Sequence, residues 1–129
     1  MKNLKKIMIE GINKRDLKKV ALALNLGLGI EDVLQNGWSP LHWSALSGYV
    51  DLAKLLISAG VNVNVKDKHG QSPLHLASFR NNVDLAELLI SEGADINAKN
   101  NDGRSPLYWA VRRGNKEMQT LLKQHGAEE

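Results

Sequence analysis

The sequence predicts an all-α repeat solenoid of about four helix-turn-helix units joined by projecting β-hairpin loops. Three observations carry that expectation. The triplet Ser-Pro-Leu begins at Ser39, Ser72 and Ser105, a constant step of 33 residues. Gly37, Gly70 and Gly103 precede the triplets on the same step, and Gly60, Gly93 and Gly126 close the units. Leu55, Leu88 and Leu121 recur between them. A fixed period of this size marks a stack in which each unit buries its apolar face only against its neighbours.

Taken in order, the elements begin with a degenerate N-terminal capping unit, residues 1–33. Moving the step backwards places Lys6 to Ile9 under Ser39 to His42, Leu22 under Leu55 and Gly27 under Gly60, so the helix pair survives without the signature. Lys19 stands under Leu52, a polar residue suited to the exposed end of a stack. Two full units follow, 34–66 and 67–99. In the second, Ser72 is a helix N-cap and Pro73 takes N1, where no donor is missed. Leu74, Ala77 and Ser78 keep the first helix narrow, which should end near Arg80 and Asn81. A second helix should start by Val83 and Asp84, with Val83, Leu85, Ala86, Leu88, Leu89 and Ile90 on a broad apolar face and Gly93 as left-handed cap. Leu55 and Leu88 are expected in the core, where truncation to alanine costs about 2–5 kcal/mol. The stretches "VNVNVKDKHG" and "ADINAKNNDG" alternate and end in turn signals, predicting the hairpins. A C-terminal capping unit, 100–129, replaces Val50, Ala53 and Ile57 with Lys116, Gln119 and Lys123. Both caps together suggest one complete domain, 1–129.

These residues also carry a family resemblance. From about residue 34 to the end, "GQSPLHLA" followed by "LLISEGADIN" resembles the ankyrin repeat, three times in register. The resemblance implies that His42 and His75 bond the adjacent serine and reach across to the next repeat. Tyr108 departs from that pattern in the last repeat. It also implies that Asn64 and Asn97 occupy the family's loop asparagine, a position hydroxylated in animal members. The residues themselves favour a local turn hydrogen bond there.

Composition narrows the function. The 129 residues contain no cysteine, which excludes disulfides, thiolate metal sites and thiol nucleophiles and suits a reducing compartment. The apolar run Ile7 to Ile9 is closed by Glu10, too short for a signal peptide, and no stretch approaches the roughly 20 apolar residues of a membrane span. A cytoplasmic protein is expected, or one delivered into a host cytosol. The net charge of +3 is uneven: residues 1–19 hold seven lysines and arginines against Glu10 and Asp16, so the remainder is slightly acidic. A solubilising end explains this more simply than a phosphate-binding patch.

Phosphate loops, paired-histidine metal motifs and nucleophile elbows are missing from the sequence, so neither an enzyme, a cofactor nor a metal is expected. In ankyrin proteins the partner lies on loop tips and inner helices. The resemblance therefore selects Gln35, Asn36, Trp38, Leu46 and Ser47, then Lys68, His69, Gln71, Phe79 and Arg80, then Asn101, Asp102, Arg104, Arg112 and Arg113. Trp38, Leu46 and Phe79 are large apolar groups at free positions, and arginines run beside them. That composition suits a protein partner with an apolar anchor and an acidic rim. Trp43 and Trp109 share the slot of Leu76 and are expected in the core. The expected function is a monomeric, non-enzymatic binding module, acting as inhibitor, immunity protein, scaffold or host-directed effector. The alternative is a nucleic-acid or anionic-surface binder using the basic N-terminal unit, Lys2 to Lys19, with the C-terminal arginines.

Overall fold

The computed structural model describes residues 3–29 and 37–128. Among these residues there are eight α-helices and no strand: α1 (Leu4–Asn13), α2 (Leu17–Asn25), α3 (Pro40–Ser47), α4 (Val50–Ser58), α5 (Pro73–Arg80), α6 (Val83–Ser91), α7 (Pro106–Arg112) and α8 (Lys116–Gln124). They form consecutive antiparallel pairs. The second helices begin at Leu17, Val50, Val83 and Lys116, each on the 33-residue step. None of the helices is long and apolar enough to cross a membrane.

Local chemistry sets the helix ends where the serines and prolines predict. Ser39, Ser72 and Ser105 cap α3, α5 and α7 through their hydroxyls, with proline in the first turn each time. α1 lacks that signature and is capped by Asn3, which starts it at Leu4. Between the helices of a pair one residue must enter the left-handed region. Gly48 and Gly114 do so at φ +74° and +70°, and Asn81 at +57°. Arg15 occupies the same register at φ +54°, a conformation that costs an ordinary residue about 1–2 kcal/mol. Its guanidinium offsets that strain by donating to the Ser47 carbonyl at 2.7 Å and lying over the Tyr49 ring at 5.1 Å.

Packing follows the same period. Met8, Leu41, Leu74 and Leu107 make one buried column along the first helices, and Ala23, Leu56, Leu89 and Leu122 another along the second. Ser44, Ala45, Ala77, Ser78 and Ala110 are fully buried and small, which lets α3, α5 and α7 approach each other more closely than α4, α6 and α8 do. Unequal spacing bends the stack toward its first helices.

Two expectations are corrected here. Leu55 is 36 % exposed and Leu88 half-buried, because the core stripe of α4 runs through Leu52, Ala53 and Leu56. At 3.6 residues per turn Leu55 lies roughly 100° from the centre of that stripe. The predicted β-hairpins are turns without a strand ladder. Their amides bond to side chains instead: Asn64 N–H donates to Asn62 Oδ1 and Asn97 N–H to Asp95 Oδ1.

His42 and His75 are fully buried and join successive pairs. The Ser39 amide donates to His42 Nδ1 at 3.1 Å, so Nε2 carries the proton and donates to the Gln71 carbonyl at 2.9 Å. His75 repeats this between Ser72 and Arg104. Burial holds both imidazoles below the usual 6.5, because an imidazolium would lose its hydration.

Leu56→Ala and Leu89→Ala should each cost about 2–5 kcal/mol in urea unfolding, against less than about 1 kcal/mol for Leu55→Ala. Equal losses would contradict this burial pattern. The histidines set a pH dependence: below about 6.5 the unfolded chain takes up protons that the folded one refuses, so stability is full above that pH and is lost as it falls toward the depressed native values. The melting temperature should therefore drop between pH 7.5 and 5.5, and the His42→Gln/His75→Gln double variant should show a flatter profile over that range.

Candidate partner-binding face

The face selected from the sequence is built on two loop tips and the exposed sides of α3, α5 and α7. Each tip is closed by one acidic or amide side chain. Asp67 Oδ1 accepts from the amides of His69 and Gln71 at 2.8 and 2.9 Å, and Asn100 Oδ1 does the same for Asp102 and Arg104. The backbone closes the same turns, Asp67 N–H to Gln71 O and Asn100 N–H to Arg104 O. Adjacent tips are stitched by Asn101, whose amide donates to the His69 carbonyl and whose Nδ2 donates to the Lys68 carbonyl. Gly70 sits at this crossing with φ +75°, and a Cβ there would lie 2.8 Å from the Asn101 nitrogen. Only glycine lets the tips meet.

Asn64 and Asn97 form a second row of bridges. Asn64 Nδ2 donates to the Gly93 carbonyl while its Oδ1 accepts from the Asp95 amide, and Asn97 does the same with Gly126 and Glu128. The expected local turn bond belongs to Asn62 and Asp95 instead.

Gln35 and Asn36 lie outside the described residues. Lys68, His69, Asn101 and Asp102 are exposed on the tips, and Arg80, Arg104, Arg112 and Arg113 are exposed beyond them. Trp38, Leu46 and Phe79 are half-buried. Ser47 is exposed at the far end of α3, where its carbonyl holds Arg15. Gln71 is tied into the scaffold: its Oε1 accepts from Asn100 Nδ2 at 2.9 Å and Trp109 Nε1 at 3.2 Å.

The aromatic residues fall into two groups. Trp38 meets Trp43 edge to face at 5.3 Å, and its indole N–H donates to Asp67 Oδ2 at 2.8 Å. Phe79 meets Trp109 at 5.5 Å and Trp109 meets Tyr108 at 5.2 Å, both nearly perpendicular. Trp43 is half-buried and packs against the core with its Nε1 buried, as expected, whereas Trp109 is half-buried and supports the ring edges of this face. The sequence reading also passed over Asp67 and Asn100 as tip closers. The signal was an Asx residue three positions before glycine, in "DKHG" and "NNDG", repeated on the 33-residue step.

Charge is distributed unevenly. The single ion pair among the described residues joins Lys19 to Glu10 at 3.2 Å, and the ammonium holds the Glu10 carboxyl below its usual range. Arg80, Arg104, Arg112 and Arg113 have no carboxylate at ion-pair distance among these residues. Two are held on rings: Arg104 lies 4.5 Å from the Tyr108 centroid and Arg113 4.5 Å from that of Phe79. In the basic first pair, by contrast, Lys19 is paired and Arg15 is held by Tyr49 and Ser47. An open groove of about 930 Å³ beside Arg15 also contains Asp16 and Asp51. Among the described residues no group of three or more histidines and carboxylates gathers as a metal site would require.

The chain matches the family described as ankyrin repeats (3 copies) over residues 7–100 and 67–129. No curated protein matches it.

Trp43 and Trp109 occupy one register with different partners, since the buried Trp43 Nε1 has no hydrogen-bond partner among the described residues while Trp109 Nε1 reaches Gln71. Trp109→Phe removes one of the two donors to Gln71 Oε1 and leaves that of Asn100, whereas Trp43→Phe removes a donor that has no partner among the described residues. In denaturant melts Trp109→Phe should cost about 1 kcal/mol more than Trp43→Phe. The reverse order would contradict these assignments.

Proposed function

The chain belongs to the ankyrin-repeat family, whose members are generally protein–protein interaction modules, and from that premise we propose that it binds one protein partner through its tips and first helices. The partner carries an apolar anchor for Trp38, Leu46 and Phe79 and an acidic rim for the arginines beyond them. The observation that carries this reading is the set of four exposed arginines with no carboxylate at ion-pair distance among the described residues, two of them lying over half-buried rings. Rings of this kind bury large area at low entropy cost, and guanidiniums pair bidentately with carboxylates. Inhibition, immunity, scaffolding and host targeting all use such a face, and the partner's identity selects among them. Binding to nucleic acid through the basic first helix pair is the weaker reading, because Lys19 and Arg15 are already engaged within the protein.

The test is affinity capture with the wild type and the Trp38→Ala/Phe79→Ala/Arg112→Ala variant, after melts establish that the variant is folded. A protein retained by the wild type and lost by the variant is the expected result. Recovery of the same nucleic acid by both, released steeply by salt, would overturn the proposal.

A further inference from the structure

The rings and cations of the last two helix pairs form one continuous series. Arg113 lies over Phe79, Phe79 meets Trp109, Trp109 meets Tyr108, and Tyr108 lies beneath Arg104. The middle of the series is fixed by the Trp109 to Gln71 hydrogen bond, and Gln71 is fixed in turn by Asn100. We propose that Arg104 and Arg113, held at the two ends of this series, clamp two carboxylates of one extended acidic segment of a partner protein. The proposal rests on the protein-binding face argued above and names what its arginine-rich end recognises.

Each guanidinium carbon lies 4.5 Å from its ring centroid, and a guanidinium laid on a ring covers one face while its in-plane N–H groups can still receive a carboxylate with two parallel bonds. Stacking also restricts the side chain before binding, so less entropy is lost when the partner arrives. Neither arginine has a carboxylate at ion-pair distance among the described residues, so the pairing capacity is open. The same stacking weakens a nucleobase reading, because Arg113 and Arg104 already lie over the rings of Phe79 and Tyr108 that a base would use.

Four steps of 4.5 to 5.5 Å separate the two guanidiniums. An extended peptide advances about 3.3 Å per residue, so carboxylates up to about six residues apart reach both. Beside Arg104 a cleft of about 500 Å³ is lined by Leu107, Tyr108 and Val111 together with Lys99 and the carboxylate-bearing Glu128. Val111 is 54 % exposed, the most exposed large apolar side chain described. An apolar residue next to one of the partner's carboxylates fits this cleft.

The experiment is selection of phage-displayed random dodecapeptides on the intact protein, followed by titration of the best synthetic peptide and its Glu/Asp→Gln/Asn counterpart. The expected peptides carry two acidic residues within that spacing and an apolar residue beside one of them. Arg104→Gln and Arg113→Gln, each checked for folding by melting, should weaken the acidic peptide about five- to tenfold and leave the neutral counterpart unaffected. If the selected peptides ignore both arginine variants but are lost with Trp38→Ala/Leu46→Ala, the clamp is overturned and the binding face stands. If no peptide is enriched, or none responds to either set of variants, both fall. Equal displacement by a single-stranded oligothymidylate, abolished by the arginine variants, would overturn the clamp in favour of nucleic acid.

Discussion

The hydrogen bond from a buried imidazole to the next loop ties successive helix pairs together and fixes the backbone of two residues of the candidate face. His42 Nε2–H reaches the Gln71 carbonyl, and His75 Nε2–H reaches that of Arg104, each at 2.9 Å. The same histidines receive the amides of Ser39 and Ser72, so one side chain closes its own helix and locates the following tip. Gln71 and Arg104 are residues of the candidate face. Their backbone is therefore placed by the core, and their side chains point from a fixed base. A neutral imidazole is required for this role, since Nδ1 must accept while Nε2 donates, and burial keeps it neutral.

The face itself divides by chemistry along the stack. Its beginning is apolar and internally bonded, with Trp38 tied to Asp67 and propped by Trp43. Its end is cationic, with Arg104 and Arg113 laid on rings and lacking counter-charges among the described residues. The arginines are clustered even though the chain after residue 19 is slightly acidic in total. Net charge thus conceals an uneven distribution, because Asp51, Asp84, Glu87 and Glu117 stand on the second helices, while Asp67 and Asp102 remain on the tips.

Departures from expectation have a common origin in competition for backbone donors and in helix geometry. Alternation in "VNVNV" suggested paired strands, yet Asn62, Asp67, Asp95 and Asn100 capture the amides such a ladder would need. Asn64 and Asn97, read as local turn residues, bridge to the next unit because their side chains stand opposite its helix end. Leu55 repeats as regularly as Leu56, so periodicity alone could not tell the edge of the helix from its buried stripe.

The sequence by itself determined the period, the helix starts and the glycine-capped ends, because these depend on local chemistry: a serine hydroxyl, a proline ring, a backbone that must turn left-handed. It also marked most of the face, since a strict repeat makes any large or charged residue at a free position visible. The tertiary structure alone decided which of those residues touch. Ring stacking between Phe79 and Trp109, the seating of Arg104 on Tyr108 and the Gln71 bond to Trp109 join residues of different units. Such contacts depend on the spacing between neighbouring helices, which is set by how closely Ala45, Ala77 and Ala110 let them approach. No local pattern in the chain encodes that distance.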